Sequence, residues 1–350
     1  MKIKISVLGA GNVAIGTMVC LIHGLQDYCA RDMVRFVLCN TRTPEKAVGI
    51  GIDLKNMEIG FNRKVDVKGT SNIDDISESN IVVMTMGQGR PALKKGTPGF
   101  SRDTLFDVNA PIIVKYCNII RNLAPCAILL NVVNPLDQLT YVAYKESGFE
   151  PQKVIGVGST LDNARFNTNI SAETGLDPGM INSIALGAHG PDMVLPWSQV
   201  KIGHEAIDAS YFLSEKQKHR IVKRTISGGS YLNSTMGGTM FGIGSAVSRV
   251  VFGVLEEAND KYVPCSVYAG GAYGIEPFSM QGRSEYPFIG LPVRLNYSGV
   301  KEVVKLNVSN AEVEKLVRAG ARISRDLQSY YGAACDQHSQ NKRSRGVNAL

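Results

Sequence analysis

Asp162, Arg165 and His189 have the residue types needed for proton transfer on an acidic substrate. Asp162 and Arg165 stand three apart in Leu161-Asp162-Asn163-Ala164-Arg165-Phe166, so on a helix they share one face. A guanidinium there offers a planar fork of donors suited to a carboxylate. The carboxylate offers a partner that fixes the tautomer of an imidazole and stabilises its charged form. His189, in Leu186-Gly187-Ala188-His189-Gly190, is far enough along the chain to fold back onto that face. The pattern points to Asp162 and His189 as a proton-transfer pair, with Arg165 holding an acidic substrate. Spacing alone also describes a surface helix pair and an ordinary loop histidine, because isolated charge pairs on helices are common.

The elements that must position these residues follow a strand–helix alternation. Lys2–Leu8 alternates and is rich in Ile and Val, then Gly9-Ala10-Gly11-Asn12-Val13-Ala14 leads into an apolar-periodic helix reaching about Gly24. Strand, glycine turn and helix together are the context of a dinucleotide-binding fingerprint. Gly9 serves the tight turn, and Gly11 lets the backbone approach a pyrophosphate at the positive end of the helix. Ala14 takes the third position and loosens helix–strand packing slightly. Asn12 and Val13 complete the turn as cofactor contacts.

A second strand, Val34–Cys39, ends in Asn40-Thr41-Arg42-Thr43, with no acid before Glu45. An acid would serve the ribose hydroxyls of NAD, whereas Asn40, Thr41 and Arg42 suit a 2′-phosphate. NADP is therefore preferred, with NAD as the alternative.

Further strands are expected at Val65–Lys68, 81–86, 127–133 and 154–157, giving a sheet of about six. The strand at 81–86 runs into Gly87 and a long loop dense in Gly, Pro and Lys, which includes Arg90, Lys94 and Lys95. Ligands bind at such carboxyl ends in open α/β sheets, and long loops there are often lids. Ser101 is placed to cap a helix reaching about Asn122, and Asn134 follows the buried strand at 127–133. Asn134 serves either a bound ligand or the cap of the next helix.

The second half changes character. Residues 180–200 and 262–305 read as twisted β structure with glycine turns. Helices are expected near 213–228, 234–258 and 310–331. The fold class is α/β: an N-terminal Rossmann doubly wound parallel sheet fused to a C-terminal α+β substrate domain. The divisions are 1–157 for the dinucleotide-binding domain, 158–335 for the substrate domain, and 336–350 for a basic, disordered tail.

A chain of 350 residues, 44% hydrophobic and 20% charged, suits two globular domains. The net charge of +7 permits anionic partners. The basic residues are spread out, without the aromatic-interleaved stripe of a nucleic-acid surface. No apolar run is long enough to span a bilayer. The chain enters a strand at once, which leaves no room for a signal peptide, so a cytoplasmic protein is expected. Seven cysteines without a CxxC pair argue against a zinc ribbon or a disulfide framework.

With these pieces in order, the sequence resembles the lactate/malate dehydrogenase family over nearly its whole length. The resemblance rests on the Gly9–Val13 fingerprint and on Pro98-Gly99-Phe100-Ser101-Arg102-Asp103-Thr104-Leu105. Asn134-Pro135-Leu136-Asp137, Thr160–Phe166, Gly187-Ala188-His189-Gly190, Pro264–Tyr268 and Tyr273-Gly274-Ile275 also carry it. It implies hydride transfer between NAD(P) and a 2-hydroxy/2-oxo carboxylic acid. His189 would exchange the proton, with Asp162 orienting it and Arg102 polarising the carbonyl. Arg165 would bind the carboxylate, and Asn134 would contact the substrate oxygen and nicotinamide ribose. A homodimer or homotetramer is also implied, with neither nucleic acid nor membrane as partner.

Three departures from the family pattern matter, two for the substrate and one for the backbone just after His189. Gly96-Thr97 stand where malate enzymes carry Arg-Lys before Pro-Gly, leaving Arg90, Lys94 or Lys95 to supply the missing charge. His189 is followed by Gly-Pro-Asp in place of Gly-Asp. Gly244 falls at the small-residue specificity position, which would leave room for a larger acid. Malate/oxaloacetate is the first candidate, and a bulkier or more polar 2-oxo acid is the alternative. An NADP-binding sensor without turnover is the rival of another class. A metal-dependent sugar hydrolase of the same fold would want a cysteine near His189 in sequence, and none lies there, so no metal site is expected.

Overall fold

The computed structural model describes residues 2–89, 102–203, 209–256 and 261–347; for Arg102, Asp103, Ser210 and 333–347 it describes the main chain alone. The N-terminal half alternates strand and helix in the order β1 (Ile3–Leu8), α1 (Asn12–Gly24), α2 (Gln26–Ala30), β2 (Val34–Cys39), α3 (Pro44–Gly60), β3 (Val67–Thr70) and β4 (Ile81–Met84). It continues with α4 (Arg102–Leu123), β5 (Ile128–Asn131), α5 (Leu136–Ser147) and β6 (Val154–Gly156). The central strands β4 (IVVM) and β5 (ILLN) are near-continuous apolar runs, as strands buried on both faces are. Phe36, Leu38, Val82 and Leu129 are fully buried at its centre, each contributing roughly 1.5–3 kcal/mol by leaving water.

The C-terminal half runs α6 (Ser159–Thr174), β7 (Ile181–Asn182), β8 (Leu186–Gly187), β9 (Met193–Val194), β10 (Lys201–Ile202), α7 (Glu215–Met236) and α8 (Phe241–Glu256). Then follow β11 (Val263–Tyr268), β12 (Phe278–Met280), β13 (Arg283–Glu285), β14 (Phe288–Asn296), β15 (Gly299–Val303) and α9 (Asn310–Val347).

The two halves share a sheet. Among the described residues its order is β3-β2-β1-β4-β5-β6-β11-β14-β8-β9, with β15 on the side of β14. The first six strands pair in parallel. The join is antiparallel, Ser266 of β11 opposite Gly156 of β6. Strand order reverses beside β1 and β4, and their carboxyl ends open the crevice where such sheets take ligands.

Three helix boundaries differ from the sequence expectation, one of them the start of α8 at Phe241 in place of about residue 234. α7 runs straight through Gly228-Gly229 to Met236, and the break falls at Gly237 and Gly238, whose φ angles are +72° and +143°. Gly237 takes up the left-handed backbone that ends a helix, as Gly148 and Gly175 do for α5 and α6, whereas Gly228 and Gly229 do not. α9 continues to Val347, where the sequence reading ends a helix near Tyr331 and begins a disordered tail. The apolar stripe stops at Tyr331, but the following Ala, Gln, Lys and Arg are good helix formers.

Candidate active site

α6 places Asp162 and Arg165. Its N-cap is Gly158, and Asp162 lies in the first turn, where the helix dipole favours a negative charge. The Asp162 carboxylate is 2% exposed and the Arg165 side chain 15%. Arg165 Nη1 donates to Asp162 Oδ1 at 3.2 Å. The pair therefore faces inward and is not a surface helix pair.

His189 reaches this face from a hairpin. β8 and β9 pair Leu186 with Val194 and Gly187 with Met193, and His189 sits in the intervening turn. Gly187 (φ +81°) and Gly190 (φ +126°) adopt backbone that L side chains rarely take. Pro191 and Asp192 fit within this turn, which is how the chain accommodates Gly-Pro-Asp after the histidine.

His189 Nδ1 and Asp162 Oδ2 stand 2.6 Å apart. An ionised carboxylate only accepts, so Nδ1 carries the proton in this bond and Nε2 is the nitrogen left to titrate. Gly158 makes room for the ring, since a Cβ there would come within 2.9 Å of both Cγ and Nδ1 of His189. Burial pulls the imidazole down, but the charge and hydrogen bond of Asp162 and the charge of Asp137 outweigh it. The result, with Arg165 pulling the other way, is a histidine held above its ordinary value.

The glycine turn after β1 fits a dinucleotide. Gly9 has φ +120°, and a Cβ there would meet Thr85 Oγ1 at 2.5 Å. Gly11 caps α1 and has no neighbouring atom within 4 Å of where a Cβ would stand, so its open side can accept a pyrophosphate. Asn12 and Val13 begin the helix. The Gly9 N–H donates to the Cys39 carbonyl at 2.9 Å, which sets Asn40, Thr41 and Arg42 beside the same crevice.

A family model described as lactate/malate dehydrogenase, NAD binding domain, matches residues 3–156. A second, described as lactate/malate dehydrogenase, alpha/beta C-terminal domain, matches residues 159–330. The chain belongs to the lactate/malate dehydrogenase family. The malate dehydrogenase of Trichormus variabilis is 32% identical over 343 residues, covering 96% of this chain and 95% of its own length. That of Methanosarcina mazei is 30% identical over 329 residues, covering 93% and 98%. The crystal structure of Cryptosporidium parvum malate dehydrogenase superimposes with a TM-score of 0.81 at 26% identity, over 94% of this chain and all of that one. This family member is accordingly a hydroxyacid oxidoreductase with an NAD-binding first domain.

In this dehydrogenase the loops around the crevice are tied together by Asn109 of α4, a fully buried residue the sequence reading missed. Its Oδ1 accepts from the Gln88 N–H at 2.7 Å, while its Nδ2 donates to the carbonyls of Gln88 and Asn134. Gly87 stands against this cluster, where a Cβ would meet Val133 Cγ1 at 2.4 Å. Asn134 is exposed and does not cap α5, whose cap is Pro135 without a side-chain bond. It precedes a cis peptide bond to Pro135. Asn40 spends its amide on Thr43, and Thr41 Oγ1 pairs with the Tyr116 hydroxyl at 2.9 Å, while Arg42 is exposed. Arg90, Lys94, Lys95 and Ser101 lie outside the described residues, and Arg102 is the first residue of α4.

Gly244 corrects the sequence reading. It is not a pocket residue: a Cβ there would stand 2.2 Å from the Gly16 carbonyl oxygen and 2.9 Å from the Thr17 nitrogen. Its missing side chain lets α8 press against α1, so it opens no room for a larger acid. Gly228 and Gly229 stand beside Arg165, with Arg165 atoms 3.4–4.0 Å from their would-be Cβ positions. In sequence this pair reads as the end of a helix, so no local signal sets it beside Arg165.

A cavity of about 460 Å³ opens between Pro191–Val194 and α9, lined by Lys315, Arg318, Arg322 and Arg325. Asp192, three residues beyond His189, pairs with Arg322 at 2.8 Å. The four exposed cations give this side of the histidine hairpin a positive field. Among the described residues no group of His, Cys, Asp and Glu is placed to hold a metal ion, and no helix is long and apolar enough to cross a membrane.

Proposed function

We propose that this enzyme interconverts a 2-hydroxy acid and its 2-oxo acid with NADP, with malate and oxaloacetate as the first pair. The observation that carries the reading is the 2.6 Å contact of His189 Nδ1 with Asp162 Oδ2, with Arg165 on the same buried face. A bound nicotinamide cofactor supplies or takes up the hydride. In reduction, protonated His189 gives its Nε2 proton to the substrate oxygen, and Asp162 stabilises the imidazolium until that transfer. Arg165 grips the substrate carboxylate through two parallel hydrogen bonds. Arg102, at the head of α4, polarises the carbonyl, and Asn134 steadies the oxygen and the nicotinamide ribose side.

NADP is preferred because the end of β2 carries no acid, and exposed Arg42 is the side chain left to meet a 2′-phosphate. With Gly244 buried against α1, the case for a bulkier acid loses the support of that residue and rests on the loop after Gly87. A loop cation, Arg90, Lys94 or Lys95, would take the second carboxylate of oxaloacetate.

The enzyme acts as a homo-oligomer in this reading. Val48, Ile52, Ile59 and Phe61, on and just after α3, are 42–68% exposed, and a patch of this kind suits burial against another copy. Sedimentation of the purified protein tests this.

The deciding experiment follows reduced-nicotinamide absorbance with NADPH and NADH across a panel of 2-oxo acids. Turnover of oxaloacetate with NADPH is expected. Nucleotide binding without turnover of any acid would favour a sensor instead.

A further inference from the structure

Asp137 stands in the first turn of α5 and is 1% exposed. Its Oδ2 accepts the backbone N–H of His189 at 2.7 Å, and its Oδ1 accepts the Ser266 hydroxyl at 2.6 Å. Ser266, on β11, is itself fully buried. This carboxylate therefore joins α5, β11 and the histidine hairpin, three elements separated by 129 residues of sequence at the widest.

The surroundings are built closely about this junction. At Gly156, opposite Ser266, a Cβ would meet Thr140 Oγ1 at 2.6 Å and Ser266 Cβ at 2.8 Å. A neutral acceptor would satisfy the same N–H, and a buried charge is costly to keep. The helix N-terminus and two donors lower that cost without explaining why a charge is there.

We propose that Asp137 is a positioning residue for the dehydrogenase reaction, fixing the main chain of His189 and supplying a second buried negative charge beside its imidazole. This rests on the reading of His189 as the proton donor. Among the described residues, the charged groups acting on the ring include Asp162 and Arg165 from α6 and Asp137 from α5. Asp192, in the ring's own hairpin, is engaged by Arg322 of α9. Asp162 and Asp137 favour the imidazolium, and Arg165 opposes it. Without Asp137 the histidine gives up its proton at lower pH, and its turn loses an anchor.

Asp137→Asn, made in the full chain, keeps the size of the side chain and an acceptor for the His189 N–H while removing the charge. We expect unchanged nucleotide affinity, kcat for 2-oxo acid reduction down about 3–10-fold, and little change in KM. The alkaline limb of the rate profile should move about one unit lower, the lower end of the scale of a nearby charge. An unmoved limb would make Asp137 a structural staple only. Should Asp137→Asn not fold, Ser266→Ala asks about positioning, with a several-fold drop in kcat at constant KM expected and unchanged kcat overturning it. His189→Gln separates the two readings. If it still turns over, the acid–base assignment itself fails; if it is inactive while the Asp137→Asn limb stays put, only the role of Asp137 falls.

Discussion

Gly244 and Gly16 meet so closely that a Cβ on the first would lie 2.2 Å from the carbonyl oxygen of the second. Backbone cannot move aside as a flexible side chain can, so Gly244→Ala must push α8 off α1. We expect a loss of about 2–3 kcal/mol, the scale of overpacking a tight core, read as a lower urea midpoint. The order of preference among 2-oxo acids should not change. A variant of unaltered stability that favours smaller acids would return Gly244 to the substrate pocket.

His189→Gln and Asp162→Asn test the buried pair of α6 and the histidine hairpin. A positioned acid–base group contributes about 10²–10⁴-fold to rate, so His189→Gln should lose that much in kcat. Asp162→Asn should lose about 100-fold or more, because the amide no longer enforces the Nδ1–H tautomer. Nucleotide binding, followed by fluorescence titration, should survive both changes. Near-normal turnover in either variant would rule out the pair.

The pH dependence has a definite sign. His189 is held above its ordinary value of about 6.5. In the proposed mechanism reduction uses the imidazolium, so its rate should persist as pH rises past about 6.5 and fall only through the elevated value. The same shift contributes to stability. That contribution is fully present below the unfolded value and is lost as pH rises through the folded one. Urea midpoints of wild type and His189→Gln should therefore converge toward alkaline pH. A rate limb at or below the ordinary histidine value would contradict the Asp162 and Asp137 electrostatics.

Arg42→Ala addresses cofactor choice. Losing a charge-assisted bond to a 2′-phosphate costs about 1.4 kcal/mol or more. KM for NADPH should rise about tenfold while KM for NADH stays within about twofold, since a tenfold change corresponds to that energy. Equal effects on both nucleotides would mean that Arg42 does not read the phosphate.

Arg318→Glu with Arg325→Glu probes the positive face of α9. Both side chains are exposed beside the cavity near His189. Their field should speed arrival of anionic substrate, so kcat/KM should fall severalfold at low ionic strength. That difference should shrink as salt shortens the Debye length to about 10 Å at 0.1 M. An effect independent of salt would indicate a local structural change and not steering.

What the sequence determined by itself was local or periodic. The strand, glycine turn and helix at 3–24 follow from alternation, then Gly9 and Gly11, then apolar spacing, all within a few residues of one another. Asp162 and Arg165 share a face because three residues nearly complete a helical turn. The pairing of His189 with Asp162 was legible only as a combination of residue types, which the family motifs made specific.

The tertiary structure decided the rest, because contact across a fold depends on distances that no local pattern encodes. Gly228-Gly229 reads as a helix break in sequence, yet the helix continues under Arg165, and the break waits for Gly237. Gly244 reads as room for substrate and turns out to be room for a neighbouring backbone. Asn109 and Asp137 carry no local signature of their tasks. Each gains its role by standing, fully or almost fully buried, where loops or strands remote in sequence present unsatisfied N–H, O–H and C=O groups that must be paired.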